Sequence, residues 1–193
     1  AIKKTEYYMN KLFPKLCNKL PNRITFIHSE KLLELYPSMT PKDREREITK
    51  KYGAVFLIGI GHKLKDGQPH DIRAVDYDDW ITETDKDKGY RGLNGDILFW
   101  DNIRKDVIEI SSMGIRVDAK ALISQSEYMN QQINTQYHNL VLKNQIPLSI
   151  GGGIGQSRLA MFLLEKKHIG EVQVTEWTQE IIDKCVLDGI PLL

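Results

Sequence analysis

The chain has 193 residues, 27 of them Lys or Arg and 26 Asp or Glu, for a formal net charge of +1. That balance excludes a strongly basic nucleic-acid footprint, which neutralises phosphates with a clustered positive excess, and leaves open only a local basic patch. A hydrophobic fraction of 41% with 27% charged residues belongs to a folded chain, long enough for one domain with a real core, and excludes wholesale disorder.

Met9, Leu12, Phe13, Leu16 and Leu20 recur at helical spacing and predict an amphipathic helix already under way at residue 1, with Pro14 as its kink. Residues 24–28 read as a short strand, and Ser29 as the N-cap of a helix carrying Leu32, Leu33 and Tyr36 that Pro37 ends. Thr40-Pro41 sets a capping hydroxyl before a proline at the first helical position, and Gly53 follows Lys50-Lys51, so residues 41–52 read as a largely solvated helix. The apolar run 54–60, bounded by Gly53 and Gly61, has the length of a central strand.

Asp66-Gly67 signals a turn, with residues 71–75 as the returning strand. The acidic stretch 76–80 leads into a polar, glycine-containing segment, 82–92, that reads as a mobile loop. Residues 96–100 and 106–110 form an antiparallel hairpin across Asp101-Asn102, and residues 118–143 carry one broken helix or two, interrupted near Asn134. Residues 146–150 enter a glycine cluster as a strand, and residues 156–167 form a buried helix.

Cys17 and Cys185 lie far apart with no CxxC spacing, so a disulfide framework or a cysteine zinc site is unsupported and a cytoplasmic setting is expected. No apolar run approaches the roughly 18 residues of a membrane span, and the opening residues lack the apolar stretch of a signal peptide. The chain begins at Ala1 without an initiator Met, so further residues are expected upstream. His28, His62, His70, His138 and His168 form no metal-binding spacing and read as packing or surface residues.

Two segments carry chemistry. In the run 150–159, Gly151, Gly153 and Gly155 let a backbone approach a flat ligand or phosphate, while Arg158 adds a cation in the first turn of the following helix. No Gly-Lys-Ser/Thr follows, and Gln156 breaks the dinucleotide-binding spacing. A packing glycine cluster at a strand-helix crossing is the competing reading. In the second segment, an extended chain places Glu109, Ser111 and Met113 on one face, where Glu109 has the chemistry to hold a magnesium ion and Ser111 and Ser112 to offer hydrogen bonds nearby. An edge-strand carboxylate beside a satisfied serine pair is the alternative.

The run from Glu109 to Arg116 resembles the strand preceding the third signature motif of class II aminoacyl-tRNA synthetases, and Gly151-x-Gly153-x-Gly155-x-x-Arg158 resembles that motif, with Ser157 where those synthetases usually carry glutamate. The resemblance is closer to the aspartate-ammonia ligase family, ammonia-dependent asparagine synthetases of the same catalytic fold. It extends through residues 53–61, 70–80, 92–98, 111–118 and 150–159, in order and over most of the chain.

This resemblance implies an α+β fold, a class II synthetase-like, mainly antiparallel sheet flanked by helices. It also implies amidation of aspartate by ammonia with ATP and Mg2+, through a β-aspartyl adenylate, releasing AMP and pyrophosphate. Arg158 would be catalytic and would contact the nucleotide with Gly153, Gly155 and Ser112, while Asp96 and Glu109 would lie at nucleotide and metal. Arg73 and Asp78 would recognise aspartate, Asp78 with a catalytic part, and Ser111 and Ser112 would lie beside the substrates. Residues 1–193 would be the C-terminal portion of a single catalytic domain, since family members are longer and their N-terminal part supplies the first motif, which forms the homodimer, and the second, which brings an arginine to the α-phosphate. No nucleic acid or membrane partner is implied. The alternatives are an aspartyl- or asparaginyl-tRNA synthetase of class II and a non-catalytic paralogue.

Overall fold

The computed structural model describes residues 1–15 and 19–193, so Leu16 of the first expected helix and Cys17 lie outside the described residues. Helix α1 (Ile2–Leu12) leads to strand β1 (Thr25–His28), helices α2 (Ser29–Leu35) and α3 (Pro41–Tyr52), and strand β2 (Ala54–Ile58). A small pair, β3 (Glu83–Asp85) and β4 (Tyr90–Arg91), precedes the long hairpin of β5 (Asn94–Asp101) and β6 (Asp106–Ile115). Helices α4 (Ala119–Met129) and α5 (Gln136–Leu142), strand β7 (Ile150–Ile154), and helices α6 (Gln156–Leu163) and α7 (Gln179–Leu187) complete the chain, with a short 3-10 turn at Ile169–Glu171.

The main sheet runs β1-β2-β5-β6-β7, parallel between β1 and β2 and antiparallel elsewhere. One face packs Phe99, Ile108 and Ile110 against Leu159, Phe162 and Leu163 of α6, with Ile2 and Met9 of α1 at its margin. The other packs Val55, Leu57 and Leu98 against Leu32 of α2 and Ile48 of α3. Among the described residues no helix is long and apolar enough to cross a membrane.

Local signals held at both ends of α3, but the cap of α2 is His28 and not Ser29, whose hydroxyl donates to the Gly59 carbonyl instead of capping the helix. Thr40 accepts the Asp43 backbone N–H at 3.2 Å, and Gly53 stops α3 at φ 76°. Helix α3 is less solvated than its composition suggests, because Arg44 and Glu45 are buried with Ile48 and Thr49. Both find partners: Arg44 Nε donates to the Tyr36 carbonyl at 3.1 Å and its NH2 pairs with Asp66 at 3.5 Å, while Glu45 pairs with Lys42 at 3.1 Å and lies 2.9 Å from His70 Nε2.

Four further expectations need correction. The helix begun at residue 1 ends at Leu12, before Pro14. Residues 71–75 form no strand, since the Ala74 carbonyl accepts from Trp80 Nε1 at 3.0 Å and the Val75 carbonyl from Gln125 Nε2 at 2.8 Å, so their backbone is satisfied by side chains. The strand expected at residues 146–150 is instead Ile150–Ile154, the glycine run itself, in register with β6 from Ser111 to Ile115. The segment 82–92 holds the β3–β4 pair rather than an open loop.

His28 accounts for that last difference. Its Nε2 donates to the Arg91 carbonyl at 2.9 Å, its ring stacks on Tyr90 with centroids 4.0 Å apart, and its Nδ1 accepts the Glu30 N–H at 3.1 Å as the cap of α2. A carbonyl only accepts and an N–H only donates, so the ring must be neutral with its proton on Nε2. Burial holds the His28 pKa below its ordinary value, against the opposing pull of the Arg91 carbonyl and the Asp85 charge. The unfolded ring therefore binds a proton first as pH falls, and the stabilisation present above about pH 6.5 is lost between that value and the lowered folded one. Urea unfolding at pH 7.5 and 5.5 is expected to show this loss in the wild type and a shallower loss in His28→Gln; equal slopes would exclude the ring as its source.

Candidate functional site

An irregularity in β6 decides which side chains meet. Leu98 faces Glu109 and Ile97 faces Ser111, so Ile110 is an extra residue in the ladder. Facing residues of an antiparallel pair share a side of the sheet. Leu98 packs with α2 and α3 while Ile97 packs with α1 and α6, which puts Glu109 and Ser111 on opposite faces. The extended-chain expectation that Glu109, Ser111 and Met113 line one face is therefore corrected: Glu109 shares its face with Asp96 and Ser112.

On that face, Asp96 and Glu109 line one cleft of about 340 Å³ together with Arg158. Arg158, in the first turn of α6, pairs with Glu109 Oε1 at 3.3 Å and donates to the Glu109 carbonyl at 3.2 Å. Asp96 is buried and ion-paired with Arg73 NH2, yet its Oδ1 and the Arg73 Nε are buried without a partner. Two unsatisfied polar atoms in one buried pair mark a place built for a further hydrogen-bonding group. Ser112 faces Asp96 across the strands, whereas the Ser111 hydroxyl donates to the Gly153 carbonyl at 2.7 Å.

Toward the C-terminal end of β6 the same face carries a third ion pair, Arg116 with Asp78. The backbone sets it up: Asp79 N donates to the Ile115 carbonyl at 2.8 Å and Val117 N to the Tyr77 carbonyl at 3.1 Å, laying residues 77–79 beside the strand end. Arg116 NH2 also donates to the Tyr77 hydroxyl at 2.9 Å, with the guanidinium 3.8 Å from the Tyr77 ring centroid. Arg73 and Asp78, read together from the sequence, thus hold separate partners, Asp96 and Arg116. Arg116 is the residue that sequence reasoning passed over, although the block from Ser111 to Asp118 contains it.

Between the Arg158–Glu109 and Arg116–Asp78 pairs the sheet carries almost no side chains. Gly114 faces Gly151, and Ser112 faces Gly153. A methyl group on Gly151 would strike the Arg116 guanidinium, one on Gly114 would sit 2.6 Å from Asp78 Cγ, and one on Gly153 would meet nothing within 4 Å. Gly155, the residue before α6, would press its methyl on Arg158 Cδ at 3.3 Å. The floor is therefore tightly fitted under Arg116 and Asp78 and open over Gly153. Both ends of the floor thus present a guanidinium beside a carboxylate, Arg158 with Glu109 at one and Arg116 with Asp78 at the other.

The family model described as aspartate-ammonia ligase matches residues 1–189. Similar solved structures include asparaginyl-tRNA synthetase of Entamoeba histolytica in complex with asparaginyl-adenylate, at 18% identity and TM-score 0.58 over 87% of this chain and 39% of that one. Aspartyl-tRNA synthetase of the same organism matches at 16% identity and TM-score 0.60, over 87% and 36%. Pyrococcus horikoshii asparaginyl-tRNA synthetase complexed with asparaginyl-adenylate matches at 16% identity and TM-score 0.56, over 88% and 39%. Identities this low establish a shared class II synthetase fold, and the chain spans 36–39% of the length of these three synthetases.

The glycine floor makes a stability prediction. Gly114→Ala is expected to cost about 1–3 kcal/mol through overpacking against Asp78. Gly153→Ala is expected to fold normally or to gain up to about 1 kcal/mol. Urea midpoints of the two variants check this; equal losses would mean that both glycines serve strand formation alone.

Proposed function

The chain belongs to the aspartate-ammonia ligase family, and from that membership we propose that it carries the nucleotide and aspartate sites of an enzyme that makes asparagine from aspartate, ammonia and ATP. The observation that carries the reading is the single sheet face on which Arg158, Glu109 and Asp96 stand at one end and the Arg116–Asp78 pair at the other, with the bare Gly153 between them. Residues 1–193 are taken as the C-terminal portion of one catalytic domain, within a cytoplasmic homodimer.

A β-carboxylate oxygen of aspartate attacks the α-phosphorus of ATP, and the bond to the β-phosphate breaks to release pyrophosphate. The lone pair of ammonia then adds to the β-carbonyl carbon of the aspartyl adenylate. AMP leaves, and a proton is lost to give the amide. In the first step negative charge gathers on the phosphoryl oxygens, where the guanidinium of Arg158, fixed by Glu109 from below, lowers the barrier. Asp78 suits the substrate ammonium and Arg116 or Arg73 a carboxylate, as the Asp78–Arg116 and Arg73–Asp96 pairs already hold both signs of charge in place. Gly153 and Gly155 let the nucleotide lie against the backbone, with Ser112 beside it, and Ser111 keeps β7 in register through the Gly153 carbonyl.

Among the described residues no three His, Cys, Asp or Glu side chains cluster as a metal cage. Asp96, with its unpartnered Oδ1, and Glu109 line one cleft, which fits the habit of Mg2+ of taking one or two carboxylates and completing its shell with phosphate oxygens and water. When bound there, Mg2+ would neutralise phosphate charge.

The complete protein, given aspartate, ammonia and ATP, is expected to form asparagine and AMP in equal amounts. ADP in place of AMP would overturn the adenylate route, and aspartate charging of tRNA would favour a synthetase instead. Arg158→Ala should lower turnover by about 10²–10³-fold, and unchanged turnover would remove Arg158 from the reacting phosphate. Gly153→Ala should raise KM for ATP more than KM for aspartate.

A further inference from the structure

The cleft continues beyond Glu109 and Arg158. Its outer end is walled by Lys42 and Arg46 of α3 and by Arg104 in the turn between β5 and β6. Apart from Leu98, Val107 and Ile108, every lining residue is charged, four cations against four acids, so this end offers little for a base to stack on, and what it can hold depends on which cations are free of the acids.

The three cations differ in what they already hold. Arg46 is committed: its Nε donates to Asp106 at 2.8 Å and its NH1 to Asp43 at 3.2 Å. That bond to Arg46 holds the Asp106 carboxyl below the ordinary carboxylate range. Lys42 reaches Glu45 at 3.1 Å on a side chain 64% exposed, and a single ammonium on a flexible stem is readily shared with an incoming anion. The Arg104 guanidinium makes no hydrogen bond or ion pair among the described residues. Its backbone is nonetheless fixed, because the buried Asp101 accepts the N–H of Ile103 at 2.8 Å and of Arg104 at 3.2 Å.

A guanidinium that makes no hydrogen bond or ion pair among the described residues, on a pinned turn where its charge acts on Asp106 only at longer range while Arg46 binds that carboxylate directly, is a receptor for an anion. We propose that Arg104, assisted by Lys42, binds the pyrophosphate end of the nucleotide, so that the leaving group is held at the hairpin end of the cleft. The proposal rests on the nucleotide reading of the cleft given above and adds the direction in which the nucleotide lies: phosphate tail toward Arg104, α-phosphate toward Gly153 and the Arg116–Asp78 end.

Calorimetric titration of the full chain with inorganic pyrophosphate and, separately, with AMP tests it. Arg104→Ala is expected to weaken pyrophosphate binding by about 10-fold, the worth of one charge-assisted hydrogen bond, and to leave AMP binding unchanged. Arg104→Lys should recover part of the loss, and Arg104→Glu should abolish pyrophosphate binding. Arg104 is exposed on a turn, so the same thermal midpoint is expected for all three variants. Unchanged pyrophosphate binding in Arg104→Ala, or an equal loss for AMP, would overturn the assignment while the nucleotide reading stands. A wild-type chain that binds AMP but not pyrophosphate would have the same consequence, and one that binds neither would overturn both.

Discussion

The extra residue in β6 is the constraint on which the site depends. Ile108 and Ile110 must point at α6 to complete the core, and strict alternation would then carry Ser112 and Gly114 to that same side. The bulge at Ile110 resets the alternation, so Ser111 and Met113 take the α6 side and Ser112 and Gly114 join Glu109 on the face of the cleft. One strand thereby serves a hydrophobic core along its first half and a polar floor along its second. Loss of the bulge would either bury Glu109 beneath α6 or turn Gly114 away from Gly151, and the Asp78–Arg116 pair would lose the flat surface it lies against.

That flat surface has a conformational cost. A strand of three consecutive glycines gives up more backbone entropy on folding than any other, and glycine offers no side chain to pack. The compensation is visible in the neighbours. Ser111 ties the Gly153 carbonyl, the Arg116 N–H reaches the Ser149 carbonyl at 2.9 Å, and the Gly155 N–H reaches the Ile110 carbonyl at 2.9 Å, anchoring β7 along its length and at both ends. The strand holds its place through bonds to β6, and the space that side chains would fill remains available to a ligand.

What could be read from the sequence followed the range of the forces involved. The cap Thr40, the stop Gly53, the β5–β6 hairpin and the break between α4 and α5 are set by residues within a few positions of one another, and they stand where expected. The glycine run and Arg158 could be read together because they adjoin at a strand-helix junction, and a methyl on Gly155 would indeed meet the Arg158 side chain. The bulge was not legible, since an apolar residue at position 110 fits either register. Nor was the β3–β4 pair, which depends on His28, more than fifty residues away in the chain. The partner of Asp78 was obscured for the same reason: Arg73 is close in sequence, while Arg116 arrives only when residues 77–79 lie against the end of β6.

The near-zero net charge acquires a structural meaning from these pairings. Arg73 with Asp96, Arg116 with Asp78, Arg158 with Glu109 and Arg46 with Asp106 match cation to anion one by one along a single face. Fixed opposite charges in a partly dry site form a preorganised set of dipoles, which can meet a zwitterion at one end and a polyanion at the other without large rearrangement. A uniformly basic cleft would hold phosphates more tightly but would repel the ammonium of an amino acid lying beside them. On the proposed reading, a site that accepts both signs within one cleft is electrically balanced, and its composition resembles that of an ordinary protein surface. The distinguishing property is the order of the charges along the sheet, which appears only when the strands are in register.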